Sequence, residues 1–221
     1  MQKGRVYRST GSWYDVKLNS GDFIKARIGG KFRTLSIKTT NPIAVGDEVE
    51  VSVNSQNEAV IKTISKRENY IIRKSVNLSK EAHIIASNID LAVLLVTISN
   101  PVTSAGFIDR FTVTAEAYNV PLLIIFNKMD IYDAAAMLQL DEYEKAYKIA
   151  GYKTLRTSVK ENTGISEFMD LIKGKTVLVS GNSGAGKSTL INKLVPNLEL
   201  KTSEISKSHQ TGKHTTTFAE M

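Results

Sequence analysis

Residues 181–188 read Gly-Asn-Ser-Gly-Ala-Gly-Lys-Ser and satisfy G-x-x-x-x-G-K-[ST] at every fixed position. No other stretch constrains the fold as much, because this pattern works only between a strand and a helix. Gly181, Gly184 and Gly186 let the backbone curl around a phosphate. The amides of residues 184–189 then point inward at a helix N-terminus, where the dipole favours an anion. The flanks agree: a buried-looking strand over 176–180 precedes the loop and a helical run over 189–194 follows it. The expected nucleotide-binding segment is therefore Gly181, Asn182, Ser183, Gly184, Ala185, Gly186, Lys187, Ser188 and Thr189. Lys187 is expected at the β- and γ-phosphates, and the Ser188 hydroxyl on Mg²⁺.

A second motif, Asn127-Lys128-Met129-Asp130, directly follows the strand-like run 122–126. It matches N-K-x-D, a guanine-reading pattern. The Asp130 carboxylate can accept from guanine N1–H and the exocyclic amine together, a donor pair that adenine lacks, so the contact discriminates strongly. Asn127 is expected to touch the purine and brace the phosphate loop, with the Lys128 stem packed on the base. A weaker signal is Ser158-Val159, after a short strand at 154–157, placed where backbone amides could meet guanine O6. A fourth lies in residues 212–217, Gly-Lys-His-Thr-Thr-Thr. Thr215 or Thr216 is the candidate to complete the Mg²⁺ shell and sense the γ-phosphate. His214 is the candidate to orient water or stabilise charge, with a surface histidine of no role as the alternative.

The order of these motifs is unusual. Ordinary GTPases run from the phosphate loop through switch I and D-x-x-G to N-K-x-D. Here the guanine motif and the Ser158 loop come first, the phosphate loop next and the switch threonines last. Such a circular permutation is sterically permissible where the exchanged ends are surface loops.

The first part of the chain has a different period. Five short strands are expected at 4–9, 13–18, 23–28, 47–53 and 58–64, broken by turns rich in Gly and Asn. They fit a small all-β barrel over residues 1–68, an OB-fold first and an SH3-like barrel second. Trp13, Tyr14, Phe23 and Phe32 could stack on bases or fill the core. Residues 65–75 read as a linker. From 69 to 221, apolar runs alternate with helical stretches within 106–119, 135–150 and 165–173, and another helix starts at 187. That alternation predicts a parallel sheet with helices on both faces, an α/β P-loop domain.

Charge separates the two parts. Residues 1–74 hold 14 Lys and Arg against 7 Asp and Glu, whereas residues 75–221 hold 15 of each. The whole excess of +7 lies in the first third. It would attract a polyanion such as RNA through phosphate neutralisation, or it is a solvated basic surface. There is no cysteine, which excludes disulfides and thiolate zinc sites within these residues. No apolar run approaches the roughly 20 residues of a membrane helix. A cytoplasmic monomer is the expectation by default.

A barrel joined to a permuted NKMD, GNSGAGKS and GKHTTT series resembles the RsgA (YjeQ) family, bacterial GTPases of late small-subunit ribosome maturation. The resemblance covers essentially the whole chain. It implies an OB-fold that contacts ribosomal RNA, GTP or GDP with Mg²⁺ in the core, and hydrolysis stimulated by the small ribosomal subunit. It also implies a C-terminal zinc-binding domain and a D-x-x-G loop. Neither occurs before Met221, so the sequence reads as a fragment, with zinc expected only beyond it. Two other readings remain: an RNA-binding module whose GTP domain senses nucleotide without hydrolysing it, and an ATP-using P-loop enzyme in which NKMD is accidental.

Overall fold

A computed structural model describes residues 1–29, 42–53, 59–74, 82–195, 198 and 200. Phe32, His214, Thr215 and Thr216 lie outside the described residues, as does nearly all of the switch segment 198–217. The chain divides into two compact units, one comprising Met1–Ile89 and the other beginning at Asp90.

The first unit opens with β1 (Gln2–Ser9), β2 (Tyr14–Leu18), β3 (Phe23–Ile28), β4 (Glu48–Val53) and β5 (Ala59–Ile64). They close into a barrel in the order β1-β2-β3-β5-β4, with β1 also paired to β4. Every pairing is antiparallel except β3–β5, which is parallel. A Greek-key crossing of this kind is the OB-fold arrangement, which settles the choice between the two barrels considered. Alternate residues point inward: Val6, Val16, Leu18, Val49, Val51 and Ile61 form the core with Tyr14, which is fully buried. Tyr14 is thus a core residue and not a stacking platform. Trp13 and Phe23 are 40% and 60% exposed.

Two further strands, β6 (Tyr70–Lys74) and β7 (Ala82–Ser87), pair as an antiparallel hairpin. The sequence suggested a linker over 65–75, where β6 lies, because a short charged run shows no partner until its pairing is seen, and it set β7 within the α/β part. The hairpin packs on the barrel through the fully buried Asp47. That carboxylate accepts from Arg67 Nε and Nη2 at 2.7 Å each, Ser87 Oγ at 2.6 Å and the Ala44 amide at 2.8 Å. A buried charge is tolerable only when paired and hydrogen-bonded in this way. The compact unit therefore runs past residue 68 and includes the hairpin.

In the second unit, β8 (Leu91–Val96), β9 (Leu122–Asn127), β10 (Lys153–Thr157) and β11 (Val177–Gly181) form a parallel sheet in the order β10-β9-β8-β11. The intervening helices are α1 (Ala105–Ala117), α2 (Ala134–Ile149) and α3 (Ile165–Ile172), and α4 (Lys187–Leu194) follows β11. Both faces are covered, which explains the continuous apolar runs of β8 and β9. Val93, Leu95, Leu123 and Ile125 face a cluster with Phe168 of α3 and Leu190 of α4. Leu94, Val96, Ile124 and Phe126 face Ile108 of α1 and Leu140 and Tyr147 of α2. The strand succession runs outward from β8 to β10 and then returns to the other side of β8. Ligands of open α/β sheets bind at the carboxyl ends of strands beside such a reversal.

Candidate functional site

The described candidate residues of the second unit sit at the carboxyl ends of strands of one parallel sheet: the phosphate-loop sequence after β11, NKMD after β9 and Ser158 after β10, with β8 between β9 and β11. Strand order in the sheet, not order in the chain, brings them to one edge, so the permuted sequence still builds one site.

The loop after β11 turns tightly. Gly181, Gly184 and Gly186 have φ of 146°, 82° and 101°. A Cβ on Gly186 would lie 2.5 Å from Asn127 Nδ2, and one on Gly181 would lie 2.4 Å from the Leu95 carbonyl oxygen. No side chain fits at either position, and the bare backbone is left to face inward. Gly186 caps α4, whose Leu190 amide donates to its carbonyl at 2.9 Å. Within the loop Ala185 is fully buried, Asn182, Ser183 and Ser188 are half-buried, and Thr189 beyond it is exposed. Lys187 folds back over the loop and donates to the carbonyls of Gly181 and Asn182, each at 2.8 Å. Burial lowers its pKa from the ordinary lysine value, because desolvation disfavours the ammonium.

Asn127, 2% exposed, joins three parts of the site. Its Nδ2 donates to the Ala185 carbonyl of the phosphate loop at 2.9 Å, and its Oδ1 accepts from Thr157 Oγ1 at 2.9 Å. Lys128 then adopts a left-handed conformation, φ 68° and ψ 39°, and its ammonium donates to the Asn100 carbonyl at 2.6 Å. Its pKa is lowered by desolvation, partly offset by the charge of Asp130. Met129 packs against the α1–α2 side of the core. Asp130 accepts from Ser158 Oγ at 2.6 Å, and the same hydroxyl oxygen accepts from the Glu161 amide at 3.1 Å. Ser158 is fully buried and Val159 half-buried. The sequence placed the work of this loop on backbone amides; the Ser158 hydroxyl orients Asp130 as well. Asn100, Thr157 and Tyr132 also enter the arrangement. Thr157 opens the weak Thr157-Ser158-Val159-Lys160 signal; Asn100 and Tyr132 belong to no short motif, so no spacing pattern marks them.

With this geometry in view, comparison with known families is decisive. The RsgA GTPase family model matches residues 64–221. The chain belongs to the RsgA GTPase family. The RsgA N-terminal domain matches residues 3–61. The hairpin β6–β7 thus falls within the RsgA GTPase match although it packs on the barrel. The small ribosomal subunit biogenesis GTPase RsgA of Christiangramia forsetii is 53% identical over 222 residues, covering 99% of this chain and 70% of that protein. The RsgA of Flavobacterium johnsoniae is 53% identical over 221 residues, covering 99% and 68%. Among solved structures, YjeQ from Thermotoga maritima superposes with a TM-score of 0.72 at 32% identity, covering 91% of this chain and 68% of that one. YloQ, described as a circularly permuted GTPase, gives 0.64 at 28% identity, covering 91% and 67%. The motif order of this chain, with the guanine pattern ahead of the phosphate loop, is likewise permuted. Membership of this GTPase family carries with it binding of GTP or GDP with Mg²⁺ in general. No helix among the described residues is long and apolar enough to cross a membrane.

A second candidate surface lies on the outer face of β1–β3. The rings of Tyr7 and Phe23 meet edge to face, 5.3 Å apart, with Lys17 Nζ 5.5 and 5.6 Å from their centroids. Nearby, the Arg27 guanidinium stacks 3.9 Å above Trp13. Aromatic faces beside cations suit nucleic-acid bases and phosphates.

Proposed function

We propose that this chain binds and hydrolyses GTP and works on the small ribosomal subunit, contacting its RNA through the barrel. One observation carries the nucleotide reading: Asn127 is bonded at once to the phosphate loop and to Thr157, so a guanine-reading turn and a phosphate cradle share one anchor. The ribosomal reading rests on the relatives' function and on the basic first third of the chain.

In this reading, Asp130, held by Ser158, accepts from the guanine edge, and the Lys128 stem packs on the base. The backbone of Gly181–Asn182–Ser183–Gly184–Ala185–Gly186 wraps the phosphates. Lys187 exchanges the carbonyls of Gly181 and Asn182 for phosphate oxygens, trading neutral acceptors for charged ones. Ser188 at the head of α4 offers a hydroxyl oxygen to a nucleotide-bound cation, with Thr215 or Thr216 proposed as a further ligand and His214 as a group beside the attacking water. Bound Mg²⁺ would neutralise charge developing on the phosphate oxygens. Lys187 adds the protein's own fixed charge, aimed where charge grows in the transition state. On the barrel, Phe23, Tyr7 and Trp13 offer stacking faces, and Lys17 and Arg27 offer phosphate contacts.

The test is GTP turnover with and without purified small ribosomal subunits, alongside Lys187→Ala. Stimulation by the subunits, lost by about 100-fold or more in the variant, is the expected result. Turnover indifferent to subunits would remove the ribosomal assignment. Nucleotide binding without turnover in either condition would favour a sensing module, and displacement of GDP by ATP as readily as by GTP would favour an ATP-using enzyme.

A further inference from the structure

One side chain outside every motif reaches the guanine-reading turn from behind. The Tyr132 ring packs against the core cluster of Leu94, Val96, Ile98 and Phe126. Its hydroxyl accepts from the Ile98 amide at 2.9 Å and donates to the Asn127 carbonyl at 2.5 Å. The single oxygen therefore ties the first residue of NKMD to the chain just beyond β8. We propose that Tyr132 is a positioning residue for guanine recognition, fixing the turn that carries Asp130 against the end of the neighbouring strand.

The need for such an anchor follows from the backbone. Immediately after Asn127 the chain enters the left-handed region at Lys128, which an L residue with a Cβ occupies only when its surroundings impose it. The Asn127 side chain is already committed to Ala185 and Thr157, so its main-chain carbonyl is the remaining handle. A second bond to the same segment beyond β8, Lys128 Nζ to the Asn100 carbonyl at 2.6 Å, closes the turn from the other side. Lys128 belongs to the nucleotide site itself. Tyr132 does not, so its contribution can be separated. Burial pushes its phenol up to about 12, and the donating proton stays in place at any physiological pH.

The inference rests on the reading of Asp130 as the guanine acceptor, and its test is chosen to separate the two. Tyr132→Phe keeps the packed ring and removes the hydroxyl alone. Affinities are measured for GDP and for IDP, which retains N1–H and lacks the exocyclic amine. The unmodified protein should prefer GDP. In Tyr132→Phe, GDP affinity should fall roughly three- to tenfold and IDP affinity less, so that the ratio shrinks. Tyr147→Phe is the control: it removes a hydroxyl of the same core cluster that donates to Asp109 at 2.8 Å, and should leave the ratio unchanged. An unchanged ratio in Tyr132→Phe, or an equal change in both variants, overturns the positioning role. If the unmodified protein does not prefer GDP to IDP, the guanine reading of Asp130 fails, and this inference with it. Should Tyr132→Phe not fold, amide exchange at Ile98 in the unmodified protein serves instead. Slower exchange with GDP than with IDP is expected, and equal exchange overturns the proposal.

Discussion

In the barrel, alternate residues of each strand face outward, so Tyr7, Lys17 and Phe23 spread candidate contacts across the flank of β1–β3. In the parallel sheet both strand faces are covered by helices, and candidate chemistry is confined to the strand ends, where Asn127, Ser158 and the glycine loop converge. A surface of the first kind recognises by summed charge and stacking and tolerates change at any one position. A site of the second kind depends on single hydrogen bonds held by a rigid frame. The two regions should therefore fail in different ways.

The largest expected effect concerns the polar centre of the first unit. Asp47→Ala strips a fully buried carboxylate from Arg67, Ser87 and the Ala44 amide. It should cost about 3 kcal/mol in denaturant unfolding of that unit. A change under about 1 kcal/mol would mean that the hairpin is held by apolar packing alone. Next comes Asp130→Asn. GTP affinity should fall roughly 10- to 100-fold while xanthine nucleotides gain, because the amide presents a donor where the carboxylate only accepted. Unchanged GTP affinity would remove Asp130 from the base site and weaken the contrast between point-like and distributed recognition.

Phe23→Ala tests the distributed side. It should weaken single-stranded RNA binding by about 1 kcal/mol, at the low end for loss of one stacking ring, and leave GTP affinity untouched. A total loss of binding would show that the barrel also reads through one critical residue. A similarly small effect is expected at the pin between α2 and the edge strand β10. Burial alone would raise the Glu144 pKa, but hydrogen bonds from Arg156, Thr154 and Lys148 outweigh it and hold the value below the ordinary one. A lowered folded pKa stabilises the fold above the unfolded value of about 4.3 and loses that contribution as pH falls through the folded value. Glu144→Gln should thus cost about 1 kcal/mol at neutral pH and flatten the acid side of a stability–pH curve. Parallel curves for both proteins would show that ionised Glu144 contributes nothing.

Much of this architecture can be read from local pattern, for physical reasons. The phosphate loop is legible because it needs small residues at fixed steps between a strand and a helix, and those requirements act over about ten adjacent residues. The barrel strands show a period of two because one face is buried, and β8 and β9 show unbroken apolar runs because both faces are. An aromatic in a small barrel is more often core than platform, but the sequence left Tyr14 open between the two, and only closure of the barrel put it inside. The β6 half of the hairpin was hidden because a charged run becomes a strand only when a partner, here β7, supplies its hydrogen bonds. What tertiary structure alone decided is which distant residues meet. Parallel pairing of β8 with β9 and β11, and of β9 with β10, brings Asn127 to Ala185, Ser158 to Asp130 and Tyr132 to Ile98. Sequence by itself determined which chemistry each segment can carry, because that depends on side-chain type and local spacing. The convergence of those segments into one site depends on the order of strands in the sheet, which no local spacing encodes.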